Sequence, residues 1–399
     1  GCTPQNSAGL IGLPTLLSLI GYLVGTLILS PLADTFGRRD MLLVTMAITG
    51  IGSVLTGFTT NYLLFNGARF ITGLGIGADL AIVNTYVNEM APRGERARYT
   101  SLIFIMSSLG AFVGIWLGLV ITTASTPFPL GLPFAVAGPG FDFGWRVMYW
   151  FGALLALVGV LLRFQLPESA RWLISRGRLA EGDEVVRSME ERASRRVSLP
   201  EPEISGEVLV NMERPTPYRE IFTSKRYLGR TIMLFFVWLI SYVTVYTISV
   251  GLTVILASLG YPPPEAGLIT AFGTFGFIAC AVFAVFFGEK LERKYWLPVA
   301  AVVTMIGGVI LAAAGTVLWA SFIGAIILFF GFNVWVPMTY SWSTENYPAR
   351  ARATGFALVD GIGHVGGGIG LLLIAPLIPH IGAMFSMILI AGFLWVGAG

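Results

Sequence analysis

Residues 296–316 read WLPVAAVVTMIGGVILAAAGT, an unbroken apolar run with no charged side chain. Coiled as an α-helix at about 1.5 Å per residue, such a run reaches roughly 30 Å, the thickness of a bilayer's hydrocarbon core. Lipid offers no partner to an open backbone N–H or C=O, so the run must be helical. Ten further runs of this kind flank it, at about 9–33, 41–58, 63–87, 101–123, 147–166, 231–256, 266–287, 318–340, 354–378 and 382–399. Together they define an all-α polytopic membrane protein. The composition agrees: 12% of the residues are charged, against about a quarter in soluble proteins. The first run is too long and too polar internally to be a signal peptide.

The basic residues give the chain an orientation. Of 25 Lys and Arg, all but Arg69, inside a span, and Arg146, at the opposite face, fall on one side. The basic side comprises Arg38, Arg39, Arg93, Arg96, Arg98, the stretch Arg163–Arg230, Lys290, Arg293, Lys294, Arg350 and Arg352. The positive-inside rule makes this side cytoplasmic and the setting a cell membrane, plasma or inner. The net charge of +3 thus reflects topology and implies no nucleic-acid partner. Two cysteines, Cys2 and Cys280, and two histidines, His364 and His380, have no metal-ligand spacing. No metal and no cofactor is expected. No nucleophile–base constellation or phosphate-binding loop points to an enzyme. This orientation puts residue 1 outside, without an initiator Met, and the chain stops at Gly399 within an apolar run. The expectation is a fragment lacking one span before residue 1 and a cytoplasmic tail after residue 399.

Residues 167–229 carry half of the acidic and nearly half of the basic residues. Glu181–Arg196 reads as a charged, exposed helix, and Leu199–Pro217, with four prolines, as a linker. The chain therefore divides into membrane halves at 1–166 and 230–399, joined by a large cytoplasmic loop at 167–229. The halves repeat. Glu-x-x-Pro-x-x-x-Arg occurs at Glu89, Pro92, Arg96 and again at Glu345, Pro348, Arg352, an offset of 256. Gly110 and Gly114 match Gly366 and Gly370 at the same offset, and the loop within Ser30–Arg39 matches that within Gly288–Trp296, with Ser30 opposite Gly288 at 258. Parallel halves with a solute site between them are a recurrent transporter plan.

Several segments carry a resemblance. Pro31-Leu-Ala-Asp34-Thr-Phe-Gly37-Arg38-Arg39, Arg69-x-x-x-Gly73-x-Gly75-x-Gly77, Tyr86-Val-Asn-Glu89-Met-Ala-Pro92, Leu166-Pro-Glu168-Ser-Ala-Arg171-Trp-Leu173 and Glu345-Asn-Tyr-Pro348 with Arg352 occur in order along the chain. They resemble the signatures of the major facilitator superfamily, and within it the sugar-porter and organic-ion branch. The resemblance implies twelve helices in two pseudo-symmetric bundles, of which this chain holds the second to the twelfth. It implies a monomeric secondary transporter working by alternating access, with a small organic solute and protons as partners in the bilayer. A sugar uniporter or symporter and a non-transporting sensor are the alternatives. The pattern departs from sugar porters at Ser30 and Thr35, at Met106-Ser107-Ser108, and in a span 231–256 without a Gln-Gln pair. The spans hold few Asn or Gln, Asn84 and Asn333 among them, and many aromatics: Trp238, Tyr242, Tyr246, Phe272, Phe275, Trp335 and Tyr340. This lining suits an aromatic or amphipathic organic ion better than a hexose.

Ionisable groups inside hydrocarbon are expensive, so they mark candidate sites. Arg69, Asp79, Asp360 and His364 are the four. Asp360 and His364 stand four residues apart, on one face of a glycine-rich helix, and form a candidate site for a proton or a charged solute. With Tyr242, Tyr246, Trp335 and Tyr340 they make up the candidate substrate and coupling set. The position matching His364 faces the substrate cavity in the organic-ion branch, and Arg69 matches a residue that communicates with an acid on the first helix of proton-coupled sugar porters. At the cytoplasmic side, Asp34, Arg38, Arg39, Glu89, Arg96, Glu168, Arg171, Glu292, Arg293, Glu345 and Arg352 are candidates for the inter-half salt bridges that the resemblance implies as gates. Pro337 is expected to kink or break its helix.

Overall fold

The computed structural model describes residues 4–90, 96–195, 217–288, 290–315, 317–347 and 352–398. Regular structure among them is helical, apart from two isolated bridges between residues 124 and 141. The first half contains α1 (Pro4–Phe36), α2 (Arg38–Phe58), α3 (Tyr62–Met90), α4 (Arg96–Thr122) and α5 (Gly144–Arg163). Three short helices follow: α6 (Ala170–Ser175), α7 (Leu179–Ser194) and α8 (Pro217–Thr223). The second half contains α9 (Lys225–Ser249), α10 (Leu252–Ser258), α11 (Pro263–Phe287), α12 (Trp296–Ala313), α13 (Leu318–Val334), α14 (Val336–Glu345), α15 (Arg352–Ile374), α16 (Ile378–Ile381) and α17 (Ala383–Ala398).

Among the described residues, ten helical spans are long and apolar enough to cross a bilayer. The expected eleventh, α17, runs 16 residues from just after the turn at Gly382 (φ 76°) to the last described residue. The expected span 318–340 is interrupted at Trp335, two positions before Pro337. Proline has no N–H to offer the carbonyl of Asn333, which instead accepts from the Trp335 N–H. The charged helix expected from Glu181 is α7, while most of the linker at 199–217 lies outside the described residues. The helices turn large apolar side chains outward, as Leu154, Leu155, Leu161 and Leu162 of α5 do. In water such a surface would be a liability; in lipid it is the expected exterior.

Glycine governs how closely the helices approach. A Cβ on Gly73 would lie 1.8 Å from the Ser18 carbonyl oxygen, and one on Gly77 2.1 Å from that of Tyr22, so these two seat α1 against α3. Gly75, on the other side of α3, faces Thr45 and Thr49 of α2. The Gly-x-Gly-x-Gly run is therefore a packing device on two faces of one helix. On α15, Gly363, Gly366, Gly367 and Gly370 face α9, while Gly361 and Gly368 face Leu23 and Leu16 of α1.

The halves meet along two seams, α1 against α15 and α4 against α11. On the first, Gly12 lies against Leu372, Leu16 against Gly368 and Leu23 against Gly361. On the second, Leu119 lies against Gly267, Phe112 against Phe275, and the Trp116 indole N–H donates to Thr274 Oγ1 at 3.2 Å. These contacts lie between mid-depth and the face opposite the one bearing Arg38, Arg176 and Lys294. The 123–143 loop adds to the closure there, with Gly131 against Pro264 and Phe128 against Trp319.

The glycine packing makes a measurable prediction. Gly77→Val forces a side chain into the backbone of α1 and should lower stability by about 1–3 kcal/mol, the usual penalty of overpacking. Gly110→Ala, where a Cβ meets nothing within 4 Å, should be neutral. Thermal unfolding of the detergent-solubilised protein distinguishes the two.

Candidate functional site

The double glycine face of α15 has a direct consequence. It lets a helix carrying two ionisable side chains sit tightly between α9 and α1, so Asp360 and His364 are buried at the boundary of the halves, 2% and 7% exposed. Across that boundary the Tyr22 hydroxyl of α1 donates to Asp360 Oδ2 at 2.8 Å. The Tyr22 ring stacks on the His364 imidazole, with centroids 4.0 Å apart and planes at 14°. His364 Nδ1 lies 2.8 Å from the Asp360 backbone carbonyl. A carbonyl only accepts, so Nδ1 carries the proton. Asp360 Oδ1, 3.5 Å from the same nitrogen, has no hydrogen-bond partner among the described residues.

Aromatic rings surround this pair. Tyr242 and Tyr246, one turn apart on α9, meet the imidazole edge-on at 4.6 and 5.6 Å. Trp335, at the break between α13 and α14, packs against Tyr242 and Trp238 at 5.8 and 5.3 Å. Tyr340 packs on Trp238 and Phe356, and its hydroxyl is 3.4 Å from that of Tyr242. The Trp238 indole N–H donates to Ser343 Oγ at 2.8 Å. The Trp335 indole N–H, fully buried, has no acceptor among the described residues. One cluster therefore presents an unpaired carboxylate oxygen and an unpaired N–H between flat apolar faces. Buried polar groups are normally satisfied, so each such exception asks for a reason. The structure thus brings together Asp360, His364, Tyr242, Tyr246, Trp335 and Tyr340.

Arg69 and Asp79 lie elsewhere. The Arg163 guanidinium reaches Asp79 with Nη1 to Oδ1 at 2.5 Å and Nη2 to Oδ2 at 2.9 Å. Thr45 Oγ1 donates to the same carboxylate at 2.9 Å, and Arg163 also donates to the Leu42 carbonyl. Asp79 thereby ties α2, α3 and α5 within the first half. Arg69 approaches Ser18 Oγ at 3.4 Å and lies 5.6 Å from the centre of the Tyr149 ring.

The charges of the basic face form two further groups. Arg38, only 8% exposed, pairs with Asp34 at 2.7 Å and Glu89 at 3.0 Å. Ser169 Oγ donates to Glu89, and the Tyr86 hydroxyl donates to the Pro167 carbonyl. Glu168 accepts from the backbone N–H groups of Arg38 and Arg39 at 3.0 and 3.2 Å, placing a carboxylate on the positive end of α2. Gly37 is required beside it: its φ is 109°, and a Cβ would fall 2.3 Å from Glu168 Oε2. Arg39 donates to the Phe164 carbonyl, and Arg171 is exposed. In the second half Arg293 pairs with Glu345 at 2.7 Å, and Glu292 with Lys294. These pairs each join residues of one half, whereas the resemblance implies bridges between halves. Arg96 and Arg352 begin α4 and α15; their side chains lie outside the described residues.

Two participants escape a reading by charge pattern. Tyr22 sits in an apolar span with nothing local to mark it, and its partner is 338 positions away. Arg163 ends α5 and reads as an interfacial cation, yet its side chain turns back into the bundle. Trp238 was visible only as one aromatic among many.

A family model described as "Sugar (and other) transporter" matches residues 3–399. The niacin transporter NiaP of Acinetobacter baylyi is 26% identical over 397 residues, covering 98% of this chain and 84% of that protein. The 4-hydroxybenzoate transporter PcaK of Pseudomonas aeruginosa is 29% identical over 382 residues, covering 94% and 79%. Among solved structures, the major facilitator superfamily proton:xylose symporter XylE bound to 6-bromo-6-deoxy-D-glucose superposes with a TM-score of 0.72 at 21% identity, covering 99% of this chain and 87% of that one. The inward open conformation of XylE from E. coli gives 0.68 at 20%, with coverages of 99% and 87%. These likenesses show the fold.

Arg163→Ala leaves the Asp79 carboxylate without its cation inside the bundle. Breaking a buried pair costs roughly 3–5 kcal/mol. With side chains 14% and 19% exposed, the loss should fall at the lower end of that range. Asp79→Leu combined with Arg163→Met should recover most of it, read as thermal unfolding in detergent.

Proposed function

This chain belongs to the sugar (and other) transporter family of the major facilitator superfamily and is a membrane transporter, and we propose that it is a proton-coupled symporter of a small aromatic carboxylate. The observation that carries this reading is the buried, half-satisfied Asp360 carboxylate set among Tyr22, His364 and aromatic rings. A carboxylate solute and an ionised Asp360 repel each other in a low-dielectric site. The solute therefore enters with Asp360 protonated, and solute and proton move together with no net charge. The Trp335 N–H is the donor offered to the solute's carboxylate, and Tyr242 and Tyr246 stack against its ring. The niacin and 4-hydroxybenzoate transporters among the relatives support this solute class, since both named compounds are aromatic acids. A hexose would need many directional hydrogen-bond partners, which this lining lacks.

Transport on this reading is by alternating access, a rocking of the halves about a fixed site. The basic face and the 167–229 segment are cytoplasmic by the positive-inside rule, the membrane is the cell membrane, and the working unit is a monomer. The seam contacts at the opposite face then correspond to an outer-closed form. The Arg38–Glu89–Glu168 and Arg293–Glu345 groups serve to hold each half's cytoplasmic end rigid while the halves rock.

In proteoliposomes carrying the full-length protein, radiolabelled 4-hydroxybenzoate or niacin should accumulate when the outside is made acid. Without the gradient the label should only equilibrate, and xylose should not compete. Trp335→Phe should raise KM by about tenfold, the loss of one hydrogen bond to a charged group, with kcat little changed. Xylose accumulation without transport of either acid would contradict the reading.

A further inference from the structure

Tyr22 belongs to the first half, while Asp360, His364 and the aromatic rings around them belong to the second. Its hydroxyl bond to Asp360 Oδ2 is the one side-chain hydrogen bond between α1 and α15 among the described residues. The rest of that seam is glycine against leucine: Gly12 with Leu372, Gly368 with Leu16, Gly361 with Leu23. Such contacts are close and apolar and do not depend on protonation. The Tyr22–Asp360 bond does. With the carboxylate ionised, the phenol O–H donates to a full negative charge. With the carboxyl protonated, the same atoms make a neutral bond of about half the strength. The other titratable groups facing Asp360 are Tyr242 and Tyr246 from α9, Tyr340 from α14 and His364 from α15 itself. All of them travel with the second half, so none reports the state of Asp360 across the seam.

We propose that Tyr22 is the coupling residue of this carrier, a latch through which the first half senses whether Asp360 holds a proton. The inference rests on the reading of Asp360 as the proton site. Ionised Asp360 and Tyr22 together hold the outer seam shut. A proton on Asp360 releases the charge assistance and lets the seam part. Linkage makes the effect reciprocal. The outer-closed form, which offers Asp360 a phenolic donor, binds the proton less well than the outer-open form, which withdraws that donor. A proton is thus taken up from outside and given up inside, the direction a proton-driven importer needs. His364, stacked on the Tyr22 ring, positions the phenol for this bond.

Labelling of a seam cysteine tests the latch without any solute. Leu372→Cys is introduced into full-length protein with Cys2 and Cys280 replaced by Ser, and proteoliposomes are treated with a membrane-impermeant maleimide from outside at pH 8 and pH 5.5. With Tyr22 intact, labelling should be slow at pH 8 and about tenfold faster at pH 5.5, the ratio expected when a hydrogen bond loses its charge assistance. Tyr22→Phe keeps the stacked ring and removes only the donor, so labelling should be fast at both values. Asp360→Asn should likewise be fast at both, and gives a second route should Tyr22→Phe not fold. A Tyr22→Phe protein that retains the tenfold pH effect overturns the latch, as does a pH-independent rate with Tyr22 intact. Acid-driven uptake of 4-hydroxybenzoate by the same vesicles separates the two claims: uptake with a failed latch leaves the symporter reading standing, and its loss removes both.

Discussion

A carboxylate held in the middle of a membrane protein constrains everything around it. Charge in hydrocarbon is expensive, and Asp360 is 2% exposed. Its carboxylate accepts a hydrogen bond from Tyr22, which belongs to the other half of the molecule. The fold must therefore bring α1 and α15 into close contact, and it does so with small residues. Gly361 and Gly368 admit Leu23 and Leu16, while Gly363, Gly366, Gly367 and Gly370 let the other side of α15 press on α9. Substituting bulk at these positions would separate the groups that share the burden of that charge.

The same economy appears on α3. Gly73 and Gly77 draw α1 inward, and the carbonyl nearest Gly77 is that of Tyr22 itself. The position of the phenol thus depends on a glycine of a neighbouring helix. Asp79, one turn or less from Gly77, is held by Arg163 and Thr45 and fixes α2 and α5 to the same helix. The first half behaves as a braced frame that presents one hydroxyl to the second half. Two-state rocking suits such a design, because packed seams are bistable rather than continuously deformable.

Much of this was legible in the sequence, for physical reasons. Apolar runs of bilayer length have few alternatives to a helix, so ten of the spans stand as long apolar helices close to where hydropathy sets them. Asp360 and His364 were conspicuous because ionisable residues inside such runs need an explanation. What stayed hidden were partners. Spacing along a helix says which residues share a face but not which neighbour they meet, so Tyr22, distant in sequence, gave no signal. Arg163 misled for a related reason: a long side chain at a helix end can reach outward to the interface or inward to an acid, and only Asp79's position decides. The charges of the basic face share one side of the bundle in the sequence reading, yet Arg38 finds Glu89 and Arg293 finds Glu345 within their own halves. Depth does not specify laterality. Gly37 is the converse case, since its φ of 109° and the approach of Glu168 explain why that position in the loop between α1 and α2 takes glycine.

The central claim is that one buried carboxylate carries one proton for each solute molecule moved. Solute-induced proton entry tests it most directly: proteoliposomes loaded with a pH-sensitive dye, no pH gradient imposed, and 4-hydroxybenzoate added outside while its own influx is counted. The expected result is one proton per solute, with the proton signal absent in Asp360→Asn although exchange of labelled for unlabelled solute continues. Solute entry with no proton signal in the unaltered protein, or an undiminished signal in Asp360→Asn, would contradict it.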